Sequence, residues 1–552
     1  MTPELDTETA GNPLSMTVPL IDLFAGPGGL GEGFSRARSA DFHVAVSIEK
    51  DEMAFETLQL RAAHRALLRS AGADAAIWSR WDAVVSESPW NVTFEMLRSR
   101  GCPEIRAACE VARREAWNIE LGPEARDVIR AGIASRLEAF EGLGRLPDNA
   151  VLIGGPPCQA YSVVGRSRNR GTQGYRAEND HRHYLYREYL QVIHDFRPAV
   201  FVMENVKGIL SSRVNDGGIF QTIMSDLKRP DLACGHDSGL EYVLVALSGE
   251  ATGLLDPAPR DFILEAERFG VPQARHRVVI CGIRCDVLAK AGSVGRPLRR
   301  PAPTVQDVIG DLPPLRSELS FRGKGQHWND YLSSPLMSDV LRSLDGHHDS
   351  LGQRVASRMK AAVRTIRERP DPGIGADREM FSSATLLAPN RLGSWYHDRP
   401  IRLLANHGSR SHMPADLVRY LFVSAFGRET RRSPKLGEFP TCLLPDHRNI
   451  DRSAPQDAIF KDRFRVQLSD SSSTTVTSHI AKDGHAFIHH DETQCRSLTV
   501  REAARLQTFP DSYVFLGNRT SQYTQVGNAV PPYLAVQIAE VVGDLMSNAG
   551  MV

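Results

Sequence analysis

The chain has 552 residues, of which 41% are hydrophobic, 24% charged and 7% aromatic, a composition typical of a soluble globular protein. Lys and Arg together number 66, as do Asp and Glu, so no global basic excess indicates a nucleic-acid partner. At roughly 150 residues per domain, the length predicts two to four domains. There is no run of 18 apolar residues, and the N-terminus lacks the basic and apolar regions of a signal peptide, so we expect neither a membrane span nor secretion.

The number and spacing of the cysteines indicate the cellular compartment and the kinds of site that the cysteines can form. The eight cysteines are too few for a disulfide framework in so long a chain, and none lies in a CxxC pair. This argues against a zinc site and predicts a reducing, cytoplasmic compartment without a metal. A cysteine in an unusual setting is then a candidate nucleophile.

Short apolar runs bounded by turn signals predict buried strands. Helical patterns, among them 184–196 and 218–228, lie between most of these runs. Alternating strands and helices predict an α/β fold with a doubly wound, mostly parallel sheet. The predicted strands cover residues 18–24, 44–48, 150–154, 199–203, 242–247 and 277–283.

Two stretches interrupt this alternation. Residues 65–145 have helical patterns without an obvious strand, which predicts a helical insertion on the α/β core. Residues 286–497 read as loop-rich and hold 11 of the 18 histidines, with 31 Lys and Arg against 24 Asp and Glu, a net charge of +7. That excess fits either a solvated surface or an anion-binding domain. Helical, apolar periodicity returns after residue 497.

A glycine-rich turn follows the first predicted strand. Gly26, Gly28 and Gly31 satisfy the GxGxxG pattern, and Glu49 ends the second strand eighteen residues beyond Gly31. Glycines let the backbone approach a ligand, and an acid at the next strand end can take ribose hydroxyls. Nicotinamide, flavin and S-adenosylmethionine enzymes share this geometry, and a tight turn without a ligand remains an alternative.

The loop GGPPCQ follows the strand at 150–154. Its two prolines stiffen the chain and hold Cys158 at the carboxyl edge of the sheet, where ligands of α/β proteins bind. Cys281, by contrast, lies within an apolar run, as a structural cysteine would. The following segment, 161–187, contains six arginines and three glycines, which predicts either a mobile phosphate-gripping loop or a solvated charged loop.

Two further patterns place charged groups near the same edge. Glu204 and Asn205 follow the strand at 199–203, where a carboxylate can hydrogen-bond or protonate a ring nitrogen; a helix cap is the alternative. In QARHR, alternation along a strand predicts that Arg275 and Arg277 share one face and point to the same site. A pair of surface arginines is the competing interpretation.

Taken together, DLFAGPGG, GGPPCQ, ENV, QARHR, TVREAARLQTFPD and QVGNAVPP resemble the DNA cytosine-5 methyltransferases, in which these motifs occur in this order. The resemblance covers about residues 15–285 and 498–550. It implies an S-adenosylmethionine-dependent methyltransferase fold with a catalytic domain at 15–285. It also implies that the segment 286–497 is a separate target-recognition domain and that 498–550 returns to the catalytic domain.

The resemblance also implies roles for individual residues. Cys158 would attack C6 of a flipped-out cytosine, Glu204 would stabilise protonation at N3, and Arg277, helped by Arg275, would contact the base oxygen. Contacts to DNA are expected from Gln159, Ser162, Arg166, Arg168 and Arg170. The S-adenosylmethionine site would comprise Phe24, Gly26, Gly28, Gly29, Leu30, Glu49, Pro156, Asn528, Ala529 and Val530.

One family residue has no clear counterpart. In compact relatives, an acid that contacts the adenine lies shortly before the PPCQ strand. Here the insertion at 65–145 intervenes, so this residue is not assigned; Asp82 is one candidate.

The sequence therefore predicts a bacterial enzyme that methylates C5 of cytosine in a specific duplex DNA sequence, in restriction–modification or phage defence. A tRNA cytosine-5 methyltransferase is an alternative, although those relatives usually lack so long a recognition segment. A second alternative is a catalytically silent DNA-binding or scaffold protein, against which the intact Cys158, Glu204, Arg275 and Arg277 argue. A nicotinamide oxidoreductase would leave PPCQ and ENV without a role.

Overall fold

A mixed sheet of eight strands forms the centre of the molecule. The computed structural model describes residues 16–140, 144, 146–157, 185–211, 213–214, 217–248, 257–320, 328–346, 350–380, 392–399, 402–446, 450–458 and 460–552. The strands are β1 Val18–Leu23, β2 Phe42–Glu49, β3 Ala116–Asn118, β4 Val151–Gly154, β5 Val200–Val206, β6 Arg213–Val214, β7 Gly217–Gly218, β8 Tyr242–Val245, β9 Ile263–Glu265, β10 Gln273–Ala274, β11 His276–Arg284, β12 Arg378–Met380, β13 Leu403–Ala405 and β14 Ser473–Thr474.

The order of strands in the sheet is β3-β2-β1-β4-β5-β11-β8, with β9 pairing to β11. All neighbours from β3 to β5 are parallel, whereas β11 runs antiparallel to β5, β8 and β9. Three further two-stranded pairs lie outside this sheet: β6–β7, β10–β14 and β12–β13. The prediction of a doubly wound, mostly parallel sheet is confirmed.

Helices cover both faces of this sheet. The α-helices are α1 Gly29–Phe34, α2 Glu52–Ala71, α3 Ala75–Glu87, α4 Thr93–Arg100, α5 Pro103–Glu115, α6 Arg126–Ala139, α7 Leu185–Phe196, α8 Ile219–Lys228, α9 Pro230–Ala233, α10 Cys285–Ala291, α11 Val305–Ile309, α12 Trp328–Tyr331, α13 Pro335–Gly346, α14 Ser350–Glu368, α15 Gly393–Tyr396, α16 Pro414–Thr430, α17 Val500–Leu506, α18 Arg519–Asn528 and α19 Pro532–Asn548. Short 3₁₀ turns occur at 90–92, 123–125, 207–211, 259–262, 266–268, 436–438, 441–443, 455–457 and 478–481.

Successive side chains of the central strands point to opposite faces of the sheet and pack into two hydrophobic cores. Leu20 and Ile153 pack into the core formed with α1, α10 and α19, while Ile21 and Leu152 pack into the core formed with α6, α7 and α8. Because both faces are covered, these strands are apolar throughout, which is why continuous apolar runs located them.

The helical insertion contains a strand that the sequence did not indicate. β3 pairs in parallel with β2 and forms the sheet edge, so the expectation of no strand within 65–145 is wrong. Three residues, Ala116 to Asn118, are too few to display an alternating pattern. The helices α2 to α5 all lie between β2 and β3 in the chain. Their apolar side chains, Trp78 and Trp81 among them, form a further core that also contains side chains from 403–405 and 514–516.

The middle segment 286–497 is less loop-rich than its sequence indicated. It contains three long helices, α13, α14 and α16, which pack into one hydrophobic core. α16 was missed because it is buried on every side from Asp416 to Gly427. A helix that is apolar all round lacks the one-sided periodicity of a surface helix.

Parts of this middle segment pack against the C-terminal segment rather than against that helical core. Side chains from 305–312, 392–396 and 476–487, together with Leu404, share a core with residues of 498–529, including Leu506, Tyr513 and Val526. The domain boundaries at 286 and 497 stay predictions.

No helix in the described part of the chain combines the length and apolar character that a membrane crossing requires.

Candidate active site

Four strand ends meet at one edge of the sheet. β1, β2, β4 and β5 are parallel neighbours, so their carboxyl ends lie side by side. The segments that leave them are the glycine loop after β1, Glu49 at the end of β2, the loop starting at Gly155 and the end of β5 at Val206. In open α/β sheets this edge is where ligands bind.

The glycine loop is open on one side and tightly packed on the other. Gly26 and Gly28 have φ of +56° and +100°, in the left-handed region that favours glycine. A Cβ at Gly26 would meet no atom within 4 Å, whereas a Cβ at Gly29 would lie 2.2 Å from the carbonyl oxygen of Val530. The loop therefore leaves space for a ligand beside Gly26 while its far side abuts the C-terminal segment.

Phe24 leads into this loop with an unusual backbone. Its φ is +55°, and an aromatic residue in the left-handed region is a conformational outlier. Such strain concentrates at ligand clamps and active sites. The side chain is half-buried, so Phe24 stands at the opening of the loop.

Glu49 ties the ends of β1 and β2 together. Its carboxylate accepts hydrogen bonds from the backbone N–H groups of Gly26 and Asp51, both at 2.8 Å. Burial raises the pKa of Glu49, and these backbone donors partly oppose that rise. The carboxylate thus lies directly beside the open side of the glycine loop.

Glu204 and Arg277 form an ion pair across neighbouring strands. The Arg277 Nε lies 2.9 Å from Glu204 Oε1, and each side chain is only 13% exposed. A Cβ placed on Gly155 would lie 3.1 Å from Glu204 Oε2, so the carboxylate faces the loop that follows β4. Glu204 lies within β5, two residues before its end, rather than after the strand as the sequence indicated.

Arg275 has a different environment from Arg277. The strand predicted through both is interrupted between β10 and β11, so the expectation of one alternating face is wrong here. Arg275 is buried, and its guanidinium donates to the carbonyls of Val476 (2.7 Å), Gly527 (3.3 Å) and Ala529 (2.8 Å). Desolvation lowers the pKa of Arg275 well below its usual value. This guanidinium joins β10 to the turn at the end of α18.

That turn carries Asn528. Asn528 is the last residue of α18 and is exposed, while its neighbours Gly527 and Ala529 are buried and held by Arg275. Four of the remaining predicted cofactor residues are buried, namely Leu30, Pro156, Ala529 and Val530.

Comparison with known proteins identifies the family. The family model for C-5 cytosine-specific DNA methylases matches residues 134–237 and 260–544. The chain belongs to this family. The prediction of an S-adenosylmethionine-type methyltransferase fold and of a DNA (cytosine-5-)-methyltransferase is confirmed.

Curated relatives extend over most of this DNA methyltransferase. The type II methyltransferase M.Bpa9945I of Bacillus paralicheniformis is 32% identical over 96% of this chain and 99% of its own length. The type II methyltransferase M.AgeI of Thalassovita gelatinovora is 29% identical over 73% of this chain and 85% of its own. The DNA (cytosine-5-)-methyltransferase M.ApeKI of Aeropyrum pernix is 27% identical over 74% and 83%, respectively.

Asp82 does not lie at a strand end of the methyltransferase sheet. It is buried in α3, and its two carboxylate oxygens pair with the Arg399 guanidinium at 2.6 and 3.0 Å. Its assignment as the adenine-contacting acid is therefore wrong. The strand end nearest Glu49 is instead that of β3, where the Asn118 amide donates to the Glu49 carbonyl at 2.9 Å. The sequence could have indicated Asn118 as a site residue only if the three-residue strand in the insertion had been recognised.

The predicted nucleophile and the predicted DNA-contacting residues lie outside the described residues. Pro157 is the last described residue before them, one peptide bond from Cys158. The residues concerned are Cys158, Gln159, Ser162, Arg166, Arg168 and Arg170.

Proposed function

We propose that this methyltransferase transfers a methyl group from S-adenosylmethionine to C5 of a cytosine that is flipped out of a specific duplex DNA sequence. The observation that carries the proposal is the Glu204–Arg277 ion pair, 2.9 Å long, facing the loop whose next residue after Pro157 is Cys158. The carboxyl group and the cation lie at the ligand edge of the sheet, where we propose that Cys158 supplies the nucleophile.

The residues around the glycine loop fit S-adenosylmethionine. Gly26 leaves open space, Glu49 presents a carboxylate suited to ribose hydroxyls, and Asn528 is exposed on the facing turn. Asn118, at the end of β3, is our candidate for the adenine contact because it adjoins Glu49. When bound, the cofactor supplies an electrophilic methyl group.

The chain's residues would activate the cytosine. C5 of cytosine is a poor nucleophile, so the Cys158 thiolate adds to C6, which breaks the C5–C6 double bond and moves electron density onto C5 and the ring. Glu204 holds the proton at N3, and Arg277 keeps Glu204 in place and contacts the base oxygen. After methylation, a base from the solvent takes the C5 proton, and the electrons of the C5–H bond restore the C5–C6 double bond as the C6–S bond breaks and the thiolate leaves. Base pairing buries C5 and C6, which is why the base must leave the stack.

Arg275 is assigned a positioning role rather than contact with the base. Its guanidinium is committed to the carbonyls of Val476, Gly527 and Ala529, and these bonds hold the turn that carries Asn528. Contact with the cytosine would require breaking them.

Two further assignments rest on charge and on relatives. We assign DNA contacts to Gln159, Ser162, Arg166, Arg168 and Arg170, and target recognition to the basic segment 286–497. A role in a restriction–modification system, with a nuclease partner, is proposed because the relatives M.Bpa9945I and M.AgeI are type II methyltransferases.

Covalent trapping tests the proposal directly. Bisulfite sequencing of DNA from a methylation-free host that expresses the chain gives the target sequence. A duplex with 5-fluorocytosine at that position should then form a stable adduct, because fluorine blocks the final elimination. Cys158→Ala should lose the adduct.

Cys281→Ala provides the matched control. Cys281 is buried in β11, and burial raises its pKa to about 12, so its thiol stays protonated and inaccessible. This variant should trap DNA as the wild type does. Absence of an adduct on the wild type, or an undiminished adduct on Cys158→Ala, would refute the nucleophile assignment.

A further inference from the structure

Tyr513 connects the C-terminal segment to the glycine loop. It lies in the loop between α17 and α18, is fully buried, and donates its phenolic O–H to the carbonyl of Pro27. Pro27 is the residue between Gly26 and Gly28, so this bond reaches the middle of the loop from 486 residues away along the chain.

The glycine loop needs such a partner. Pro27 has no N–H, and both flanking glycines have left-handed φ, so the loop lacks the bonds of regular secondary structure. The Pro27 carbonyl is buried, and a buried carbonyl without a partner is costly. A Cβ at Gly28 would lie 3.1 Å from the Tyr513 oxygen, which shows how closely the phenol abuts the loop.

Tyr513 is itself held from two sides. The Arg501 guanidinium donates to its backbone carbonyl, and the Arg61 guanidinium lies 4.8 Å from the centre of its ring. Arg61 also pairs with Glu32 of α1 at 2.6 Å, the helix that the glycine loop opens. The same assembly therefore fixes the phenol, the loop and the start of α1 relative to one another.

We infer that Tyr513 is a positioning residue for the cofactor: its hydroxyl holds the Pro27 carbonyl so that the open side of Gly26 stays beside Glu49. This rests on the proposal that S-adenosylmethionine binds at the glycine loop. Tyr513 does not touch the reacting atoms. Its hydroxyl should accordingly affect cofactor affinity and leave the chemical step unchanged.

The test is Tyr513→Phe, which keeps the ring and removes only the donor. Without this bond the free loop can leave its binding geometry, and restoring that geometry on binding costs about the free energy of one hydrogen bond, which weakens S-adenosylmethionine binding about tenfold. We expect the KM for the cofactor to rise by that factor while kcat and the Kd for DNA stay near wild type. Hydrogen exchange of the peptide covering 24–34 should accelerate.

Tyr242→Phe is the matched control. Tyr242 is also buried and also donates to a proline carbonyl, that of Pro198 at 2.8 Å, but it lies on the edge strand β8 away from the glycine loop. It should leave cofactor affinity and loop exchange unchanged. Tyr513→Phe with wild-type affinity and loop exchange would overturn the inference, as would an equal loss of affinity in Tyr242→Phe. Failure of the wild type to bind S-adenosylmethionine in calorimetry would instead refute the proposed cofactor.

Discussion

The Glu204 carboxylate and the Arg277 guanidinium lie 2.9 Å apart on the antiparallel neighbours β5 and β11, largely shielded from water. Such a pair holds the carboxylate in one orientation, towards the loop after β4. Transition-state stabilisation depends on groups that are already oriented when charge develops on the substrate. The two residues should therefore act together on the cytosine ring and contribute little to cofactor binding.

Glu204→Gln tests this separation. The amide is nearly isosteric but has no negative charge to stabilise the proton at N3, so we expect single-turnover methyl transfer to slow by about a hundredfold or more, a typical size for loss of acid–base assistance. The Kd for S-adenosylmethionine should change less than twofold. Rapid-quench kinetics with preformed enzyme–DNA complex measures the first, and calorimetry the second.

Glu188→Gln serves as the control for that substitution. Glu188 is also a buried carboxylate paired with an arginine, Arg126 at 2.7 Å, but it lies on α7. It should retain wild-type transfer. Equal transfer rates for Glu204→Gln and the wild type would remove Glu204 from the mechanism.

Arg275 and Arg277 should respond differently to the same change. In Arg275→Lys, a single ammonium cannot serve the carbonyls that the planar guanidinium bonds, so the turn carrying Asn528 should loosen and the cofactor KM should rise several-fold with kcat retained. In Arg277→Lys the contact with Glu204 weakens, and kcat should fall with the cofactor KM retained. Steady-state kinetics with varied S-adenosylmethionine concentrations distinguishes the two variants. A fall in kcat alone for Arg275→Lys would mean that Arg275 contacts the cytosine and does not act through the cofactor.

These two arginines also illustrate what the sequence alone could and could not predict. The central strands were found because parallel strands buried on both faces are continuous apolar runs. The alternation in QARHR was misleading because it shows neither that the strand is interrupted at Arg275 nor that the Arg275 guanidinium bonds carbonyls of Val476 and Ala529, far away in the sequence. β3 was too short to show a period, and α16 was too uniformly buried.

Long-range polar contacts were equally invisible. The bond from Tyr513 to Pro27 joins residues at opposite ends of the chain, and no local pattern encodes it. The resemblance to known methyltransferases located the motifs, but not the contacts that join them.

Asp22 should make stability depend on pH. This carboxyl lies in β1, and burial raises its pKa to about 8 although Arg65 opposes the rise. The folded state therefore keeps the proton at neutral pH, while the unfolded chain loses it above its ordinary pKa of 3.8. The group's contribution is fully present below that value and is lost as pH rises towards 8.

Asp22→Asn removes this dependence. The free energy of unfolding of the variant, relative to the wild type, should increase between pH 5 and pH 8 by about 2 kcal/mol or more. Urea unfolding at both pH values measures the difference. A constant difference would mean that Asp22 is ionised in the fold.

Exchange of the recognition segment requires boundaries that respect the packing. Side chains from 305–312, 392–396 and 476–487 share a core with the C-terminal segment, so replacing all of 286–497 would disrupt the support of the cofactor loop. The separate helical core is built largely from residues between Trp328 and Val466. Within that stretch, β12 and β13 pair with each other and pack elsewhere, since Arg378 donates to the carbonyls of Val85 and Ser88 at the end of α3. We therefore expect a chimera that takes 328–368 and 414–466 from a relative with another target, and keeps the native 369–413, to fold and to methylate the relative's sequence. Bisulfite sequencing in a methylation-free host reads the pattern, and S-adenosylmethionine affinity checks that the catalytic part is intact. A chimera that binds cofactor and still methylates the original site would place target recognition outside this helical core.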